Sequence, residues 1–578
     1  MFRLFKKSGI FYKPGLEIPL PDRISLADKK SSDSLESGKN RLLCTMFLFF
    51  GAFSVIAVRL IGVTLMNTPA EEHLKTGDSK TYALEIKMNR ADIVDRNGVL
   101  LATSLPSADL YVDSEKIKNP ETIAAALVQT LPDLEYKPLL KKLKSKKNFV
   151  YIKRNLTPKE QYDVNRLGFP QLNFQMTETR VYPQGPLVSH IIGTTDIDNK
   201  GIAGIEKTFN EKLSGKKETV RLSLDVGVQD SVRSVLMQSI ETYQAEGAAA
   251  VLMNAKTGEI VSMVSLPDYD PNNLKNSRKK NLFNTVSLGV YEVGSIMKLF
   301  NTAIGLETKK ITVDDKIDAS HPVVLANYTI NDVPKLRRVV TIPEILIHSS
   351  NIGSAKIALA VGSDKQQEFF RRFGFFETAD IELPEKGRPL LPAKWREVNT
   401  ATAGYGYGVA LTPVHIAAAT AALVNGGIYN TPSLISKRPG DEIIGKRIIS
   451  KKTSDIMRGI MRLVVTEGSG RKANVPGYEV GGKTGSAQKL VNGKYAENTL
   501  RTSFISAFPM DNPQYVLMVM LDAPKGIKET YNLNTAAWNV VPTAEKIIAT
   551  VAPQLGITPR PYESKQIAPY VKAALNAR

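Results

Sequence analysis

An apolar run near the N-terminus divides this chain into parts that must fold in different solvents. Residues 42–66 read LLCTMFLFFGAFSVIAVRLIGVTLM, with 17 uncharged residues before Arg59. About 20 apolar residues span a bilayer as a helix, and an arginine near one end can reach the headgroups. Nine Lys or Arg residues precede the run, whereas the fifteen residues after it contain only two. This asymmetry predicts a cytoplasmic N-terminus and an exported remainder.

A cleaved signal peptide is the alternative interpretation of this run. The apolar region of a signal peptide spans roughly 7–15 residues and ends at small residues of the Ala-x-Ala type. The run here is longer, and NTPAE at residues 67–71 is a poor cleavage site. We therefore predict that residues 1–41 are a cytoplasmic tail and that residues 42–66 are an uncleaved transmembrane anchor helix.

The composition of the exported part excludes several kinds of chemistry. The only cysteine, Cys44, lies inside the apolar run, so disulfides, thiol catalysis and cysteine-bound metals are excluded beyond it. The chain has five histidines: His73, His190, His321, His348 and His415. They show neither an HExxH motif nor close pairing, and no metal site is expected. The net charge of +19 favours an anionic partner, and export makes anionic lipid or a cell-wall polymer a better candidate than nucleic acid.

Two regions of different patterning follow the anchor. Residues 67–225 are a mixed segment with few long helical patterns. Within it, ADIVDRNGVLLA alternates apolar residues around Asn97-Gly98, which is typical of a hairpin. The densest basic run, YKPLLKKLKSKKNFVYIKR, begins at Tyr136. Such a run belongs either to a solvated face or to a contact with an anionic surface.

Residues 226–552 predict an α+β domain. GAAAVLMNAKTGEIVSMVS reads as two strands joined by a turn at Lys256-Thr257-Gly258, and TSFISAF and YVLMVMLD are two more strands near the C-terminal end. Helical patterns lie between and after these pairs: SIMKLFNTAIGLE, IPEILIHSSNIGSAKIALAV, PVHIAAATAALV and NTAAWNVVPTAEKIIATVA, the last with Pro542 as a start or kink. Strands at both ends of a helical middle favour one antiparallel sheet shared by distant segments. Residues 553–578 are predicted to be a peripheral tail.

A serine activated by a lysine is a catalytic pattern that this composition allows. Ser-x-x-Lys on a helix places the lysine one turn after the serine, where its amine can reach the hydroxyl. The pattern occurs at Ser214, Ser277, Ser295, Ser469 and Ser486. Ser214 and Ser277 lie in charge-rich stretches, and Ser469 lies in the turn TEGSGRK. Ser295 instead begins an apolar helix, where a serine is ordinarily an N-cap. However, Lys298 inside so apolar a helix must be paired or shifted toward its neutral form.

Two further motifs follow Ser295 in order. HSSNIG supplies Ser349-x-Asn351 fifty-four residues later, and the third Lys-Thr-Gly of the chain, at Lys483, lies 134 residues beyond Ser349. Lys298, alone or in a relay with Ser349, can remove the proton of Ser295, and Ser349 can pass that proton to a leaving amine. Asn351 can orient Lys298 and a substrate amide.

The Lys-Thr-Gly motif and the residue after it have the chemistry of a carboxylate site. Lys483 adds positive potential, which helps Lys298 to act as a base. The hydroxyls of Thr484 and Ser486, on either side of Gly485, can bind a terminal carboxylate. The backbone N–H groups of Ser295 and Ser486 are the expected oxyanion hole.

The ordered triple resembles that of the penicilloyl-serine transferases, which include penicillin-binding proteins and serine β-lactamases. Outside the triple, RADIVDRNGVLLA, RVYPQG, GIAGIEKTFNEKLSG and LSLDVGVQ are similar to pedestal and junction motifs of class B penicillin-binding proteins. GYGYGVALTPVHIA is similar to a segment of their division-type (septal) group. The resemblance runs from the anchor to about residue 550.

This resemblance implies a single-pass protein of the bacterial inner membrane. An elongated mixed pedestal domain, residues 67–225, would precede a periplasmic D,D-transpeptidase domain, residues 226–552, with an antiparallel sheet and a helical subdomain. The enzyme would attack the D-Ala-D-Ala end of a peptidoglycan stem peptide at the division septum, form a Ser295 acyl-enzyme and cross-link it to a second stem peptide. β-Lactams would acylate the same serine. The family uses no metal or organic cofactor. Its division-type members work beside a membrane-embedded glycan polymerase and other division proteins.

Two positions depart from the family pattern, and three rivals remain. Val293 stands where many relatives have proline, and Ser486 stands where many have threonine. Because serine keeps the hydroxyl and the N–H, we expect a changed rate or affinity and an unchanged mechanism.

The rivals are an elongation-type transpeptidase, a serine β-lactamase and a penicillin sensor. A β-lactamase would leave the pedestal unexplained, and a sensor would need a cytoplasmic output module larger than 41 polar residues.

Overall fold

The computed structural model describes residues 43–57, 90–215, 218–438, 440–491 and 494–560. The chain divides into two compact units, Met1–Ala83 and Leu84–Arg578, and the described part of the first unit is a helix over 43–57. Among the helices of the described residues, none has the length and apolar character needed to cross a membrane. The predicted cytoplasmic tail, the remainder of the predicted anchor with Arg59, and the C-terminal tail from residue 561 lie outside the described residues.

The region predicted as the pedestal contains a five-stranded sheet, and the structure covers it at residues 90–215 and 218–225. Its strands are Ile93–Val94, Leu100–Val112, Val150–Leu156, Leu172–Val181 and Val220–Arg221. Leu100–Val112 pairs antiparallel with the first, third and fourth of these. The hairpin predicted around Asn97-Gly98 is confirmed, since Val94 pairs with Leu100 and Gly98 has a φ of 90°. Glycine adopts this left-handed backbone without a Cβ clash.

Three helices cover one face of the outer part of this sheet. They are Pro120–Thr130, Tyr136–Leu143 and Pro158–Asn165. Leu110, Val112 and Ile152 pack in one buried cluster with the apolar side chains of these helices. Because successive side chains of a strand point to opposite faces, the residues between them lie on the other face. Shorter elements complete the pedestal: helices Ser189–Ile192, Gly204–Thr208 and Asn210–Leu213, and strands Thr194–Thr195 and Gly201–Ala203.

A buried carboxylate shared by two arginines ties the pedestal together. Glu206 has no exposed surface. Its Oε2 accepts from Arg90 Nε at 2.7 Å, and its Oε1 accepts from Arg180 Nε at 2.7 Å. Arg90 also donates to Asn210 Oδ1 at 2.9 Å. Because burial of an ion is costly unless it is paired, this network fixes three segments that are distant in sequence.

The second domain contains one five-stranded antiparallel sheet. In spatial order its strands are Gly481–Val491, Lys494–Phe508, Tyr515–Asp522, Gly247–Asn254 and Ile260–Leu266. The prediction that distant segments share one antiparallel sheet is confirmed. Lys256-Thr257-Gly258 forms the turn between the last two strands, as predicted.

Both faces of this sheet are covered by helices. Val226–Tyr243 and Val540–Gln554 pack on one face, against side chains that include Ala248, Ala250 and Leu252. Pro413–Val424 and Lys451–Thr466 pack on the other, against side chains that include Ala249, Val251 and Met253. A strand that is covered on both faces has a continuous run of apolar residues in its sequence. This is why the strand GAAAVLMN does not alternate between apolar and polar residues.

A group of shorter elements stands beside the sheet. Its helices are Met297–Glu307, Ile342–Ile347, Asn351–Val361, Ser363–Arg372 and Glu397–Ala403. Two-stranded ribbons in and around this region pair Tyr291–Glu292 with Ala410–Leu411, Lys316–Asp318 with Val339–Thr341, Val323–Leu325 with Tyr328–Ile330, and Ile428–Tyr429 with Lys446–Arg447. The stretch predicted as one helical region over 342–361 is in fact two helices, separated at residues 348–350. Pro542 lies in the first turn of its helix and therefore marks a start.

The buried ion cluster of the pedestal generates a stability prediction. Replacing Glu206 with alanine leaves two buried guanidiniums without their carboxylate, and we expect the free energy of unfolding to fall by about 3–5 kcal/mol. Denaturant titration of the full chain measures this loss. Glu218→Ala is the matched control, because its pair with Lys212 lies at the surface and should contribute little. Equal stability of the two variants would contradict the prediction.

Candidate active site

The candidate nucleophile lies where a short turn enters a buried helix. Gly294–Ile296 forms a 3₁₀ turn, and Met297–Glu307 continues it as an α-helix. The turn lies directly against the strand that carries Lys483: a Cβ on Gly485 would lie 2.2 Å from the carbonyl oxygen of Val293. Only glycine allows so close an approach of the two backbones. The sequence places glycines on both sides of this contact, since Gly294 of the turn lies against Ser486 of the strand.

Lys298 lies one helical turn after Ser295 and is completely buried. Its Nζ is 3.1 Å from Ser295 Oγ and 3.1 Å from Ser349 Oγ. It donates to the Ser349 carbonyl oxygen at 2.6 Å and to Asn351 Oδ1 at 2.7 Å. The structure therefore brings together the Ser-x-x-Lys and Ser-x-Asn motifs around one amine.

The hydrogen-bond partners of Lys298 are uncharged and are compatible with a neutral amine. The carbonyl oxygen and the amide oxygen can only accept, and they use two N–H groups. A neutral amine has two N–H groups and one lone pair, so the hydroxyl of Ser295 can donate to that lone pair. Burial lowers the pKa of Lys298 well below its usual value, and the nearby Lys483 lowers it further, while Asp332 acts in the opposite direction. The geometry permits, and burial and the charge of Lys483 favour, an amine that can accept the proton of Ser295.

Ser349 bridges the two lysines of the site. Its Oγ lies 3.1 Å from Lys298 Nζ and 3.1 Å from Lys483 Nζ. Its φ of 57° is left-handed, a conformation that costs energy for a residue with a side chain. This backbone ends the helix Ile342–Ile347, and Ser350 begins the next helix as its N-cap. The interruption between the two helices at residues 348–350, which the apolar pattern did not reveal, therefore directs Ser349 toward both amines.

Lys483 lies on the strand Gly481–Val491 and is completely buried. Besides Ser349, it donates to the carbonyl oxygen of Thr484 at 3.2 Å. Burial lowers the pKa of Lys483 to about 7. An anion that entered the site would favour the charged form and would be bound by it.

The hydroxyls predicted for carboxylate binding have further partners. Ser486 Oγ accepts from the backbone N–H of Ala536 at 3.1 Å, and this leaves its own proton free to be donated. Thr484 Oγ1 lies 2.6 Å from the Oγ of Ser469. Sequence reasoning set Ser469 aside as part of a turn, and its contact with Thr484 arises only in the folded chain. Ser486 also begins a Ser-x-x-Lys pattern, but it lies on a strand, and Lys489 pairs with Glu246 and Asp522 instead.

Asp332 is a residue of the site that sequence reasoning missed. This buried carboxylate accepts from Ser350 Oγ at 2.8 Å, from Asn351 N at 2.5 Å and from Ile352 N at 3.0 Å. It therefore holds the segment that carries Ser349 and Asn351, and it does so at a helix N-terminus, where a negative charge is favourable. A single aspartate in the loop NDVPKLRR carries no local pattern that could have revealed this contact.

Two family models match the chain. Residues 248–545 match the penicillin binding protein transpeptidase domain, and residues 85–239 match the penicillin-binding protein dimerisation domain. A probable peptidoglycan D,D-transpeptidase FtsI of Caulobacter vibrioides is 35% identical over 525 residues, which cover 89% of this chain and 88% of that protein. The chain belongs to the class B penicillin-binding proteins of the division type.

A further relative and a solved structure extend this relationship. Stage V sporulation protein D of Bacillus subtilis is 30% identical over 576 residues, with 90% of this chain and 87% of that protein covered. Penicillin binding protein 3 of Mycobacterium tuberculosis, solved in complex with aztreonam, has the same fold, with a TM-score of 0.66 at 22% identity. That comparison covers 82% of this chain and 98% of the other.

Asp332 generates a prediction about this penicillin-binding protein. Asp332→Asn removes the charge that holds the Ser349–Asn351 segment, and a misplaced proton relay should slow acylation by penicillin roughly tenfold to a hundredfold. Loss of the carboxylate should also lower the pKa of Lys298, since Asp332 raises it. The acidic limb of the acylation profile should then move to lower pH. Stopped-flow acylation over a pH series measures both effects.

Asp314→Asn is the control for this prediction, because Asp314 is exposed. It should leave the rate and the pH profile unchanged. If Asp332→Asn slowed acylation without any shift of the acidic limb, its role would be only structural.

Proposed function

We propose that this protein is a peptidoglycan D,D-transpeptidase that cross-links stem peptides through a Ser295 acyl-enzyme during septal cell-wall synthesis. The observation that carries the proposal is the contact of Ser295 Oγ with the buried amine of Lys298, at 3.1 Å. Burying a charged lysine without an anionic partner costs free energy, which favours the neutral form. A neutral amine can act as a general base. The names of the curated relatives support the same activity.

Acylation follows from the proton positions. Ser295 Oγ attacks the carbonyl carbon between the two terminal D-Ala residues while its proton moves to Lys298 Nζ. The backbone N–H groups of Ser295 and Ser486 stabilise the resulting oxyanion. Lys298 then returns a proton through the hydroxyl of Ser349 to the nitrogen of the departing D-Ala. The C–N bond breaks, and Ser295 holds the acyl group as an ester.

Deacylation reverses these steps with a different amine. The amino group of a second stem peptide attacks the ester carbonyl and loses one proton to the relay of Lys298 and Ser349. The proton returns to Ser295 Oγ as the C–O bond breaks, and the new amide is the cross-link. A β-lactam carries its own amide in a ring and acylates the same serine by the first half of this sequence.

The Lys-Thr-Gly strand selects the substrate by its terminal carboxylate. Lys483 supplies the charge, and the hydroxyls of Thr484 and Ser486 supply hydrogen bonds, with Gly485 between them. Asn351 donates its Nδ2 to the carbonyl oxygen of Asn331 at 3.0 Å and accepts from Lys298. It thus holds the base in place next to the substrate amide.

The division of the chain and its location are part of the same proposal. Residues 1–41 form a cytoplasmic tail, 42–66 an anchor helix in the inner membrane, 67–225 a periplasmic pedestal, 226–552 the transpeptidase domain and 553–578 a C-terminal tail. The charge asymmetry around residues 42–66 supports this topology. A membrane-embedded glycan polymerase and other division proteins are the proposed partners of the anchor and the pedestal.

Mass spectrometry of the intact full-length protein, exposed to a penicillin and followed over hours, tests the acyl-enzyme. We expect a stable adduct that maps to Ser295 and is missing in Ser295→Ala, because a transpeptidase has no device for rapid attack by water. An adduct that forms and clears within seconds would favour a β-lactamase instead. A folded protein that forms no adduct would contradict the proposed chemistry.

Titration of Lys483 predicts how acylation depends on pH. Burial holds the pKa of Lys483 at about 7, so its positive charge is present below that pH and is lost above it. The second-order rate constant for a penicillin, whose carboxylate stays ionised, should therefore fall as the pH rises through about 7. Acylation of the free enzyme is measured from about pH 5 to about pH 9. Lys483→Arg keeps a cation at every one of these pH values, and its profile, though slower, should lack the alkaline fall.

A further inference from the structure

The open face of the pedestal sheet carries three aromatic rings. Tyr111 and Tyr151 are directly opposite each other on neighbouring strands, on the face that the three pedestal helices leave uncovered. The Phe149 ring packs between them: its centroid is 4.5 Å from that of Tyr111 in a stacked arrangement and 4.8 Å from that of Tyr151 in an edge contact. Phe149 nevertheless remains 47% exposed. We call Tyr111, Phe149 and Tyr151 the aromatic platform.

Polar groups with planar amide or guanidinium ends lie beside the aromatic platform. Tyr151 donates its hydroxyl to Gln175 Oε1 at 3.1 Å, and Gln175 is exposed. Asn173 lies directly opposite Tyr111 on the adjacent strand, so the two side chains point to the same face of the sheet. The Arg154 guanidinium lies 5.1 Å from the centre of the Tyr151 ring. The rings are thus held in place by neighbours that can themselves bind a polar ligand.

The chain around the platform is strongly basic. Residues 136–154 contain eight Lys or Arg residues and no Asp or Glu. Three of the eight are paired with carboxylates: Lys144, Lys153 and Arg154. The other five are exposed and make no ion pair within the described part of the chain: Lys137, Lys141, Lys142, Lys146 and Lys147. Such a cluster attracts a polyanion.

We propose that the aromatic platform binds a glycan strand of peptidoglycan, separately from the catalytic site. The flat C–H face of a pyranose ring can pack on Phe149. Amide groups such as those of Asn173 and Gln175 can bond the N-acetyl groups and hydroxyls of the sugars. The lysines can pair with carboxylates of the stem peptides attached to the strand, or with the lactyl carboxylates that are freed when those peptides are removed. The proposal rests on the proposed function only in naming peptidoglycan as the polymer.

Two other occupants fit these observations less well. A side chain that inserts into a bilayer must project beyond its polar neighbours, whereas Phe149 is braced between two tyrosines, one of which is hydrogen-bonded to an amide. The centre of a protein interface is depleted in lysine, whereas five lysines without ion pairs lie in the segment that carries the platform. An anionic glycan uses the rings, the amides and the charges together.

Co-sedimentation of the full-length protein, in detergent micelles, with purified peptidoglycan sacculi tests this proposal. The protein is first acylated with penicillin so that the catalytic site is blocked, and Ser295→Ala is measured in parallel. A failure of the proposed acylation chemistry therefore does not affect the binding result. We expect Phe149→Ala to bind sacculi roughly tenfold more weakly, since an aromatic anchor contributes on the order of this factor.

Tyr162→Ala is the matched control, because Tyr162 is an aromatic residue of the same domain that is 62% exposed on the helix Pro158–Asn165. It should bind as the unaltered protein does. A second variant, Lys146→Gln with Lys147→Gln, keeps the rings. Its loss of affinity relative to the unaltered protein should be larger at low salt than at high salt, because salt screens the attraction of the lysines. This variant keeps the proposal testable if Phe149→Ala does not fold, which its thermal unfolding curve reveals.

Competition identifies the ligand. Soluble glycan strands freed of their stem peptides should displace the protein from sacculi. Vesicles of phosphatidylglycerol and phosphatidylethanolamine should not. Displacement by vesicles alone, or undiminished binding of both Phe149→Ala and the double lysine variant, would overturn the proposal.

Discussion

The structure depends above all on the burial of two lysine side chains within reach of one serine hydroxyl. Lys298 and Lys483 both have no exposed surface, and Ser349 Oγ lies 3.1 Å from each. Two buried ammonium groups so close together would repel, so at least one must give up its proton. The left-handed backbone of Ser349, the glycines where strand and turn meet, and the carboxylate of Asp332 all serve to hold this unfavourable pair.

The pedestal also buries cationic side chains, but it pairs them with a carboxylate. There, Glu206 neutralises two buried arginines, and the result is a fixed, unreactive joint between distant segments. In the catalytic domain, the hydrogen-bond partners of Lys298 are hydroxyl, carbonyl and amide oxygens, all of them uncharged. A paired cation keeps its proton, whereas a buried cation without an anion partner tends to release it. The choice of partner therefore separates a charge that only holds the fold together from an amine that can take up a proton.

The sequence predicted the parts of the fold that local patterns determine. Four strands of the catalytic sheet were predicted from apolar runs, which arise because both faces of the sheet are buried, and the helix Pro413–Val424 has the limits of its apolar stretch. The fifth strand, Gly481–Val491, was missed because GGKTGSAQKLV is not an apolar run. The break at residues 348–350 was missed because apolar periodicity continues through Ile347 and Ile352. Asp332 was missed because it lies 19 residues before Asn351, and only tertiary folding brings them together. The catalytic roles of the site residues stay a prediction, because geometry fixes positions and not rates.

The strand that carries Lys483 lies at the edge of its sheet. Among the described residues, no strand pairs with its outer side, so a row of main-chain donors and acceptors runs alongside Ser295. An extended peptide can add to such an edge as a further strand. Recognition of this kind reads the backbone of the incoming chain and places few demands on its side chains. One enzyme can therefore keep the scissile bond in register while the composition of the peptide varies.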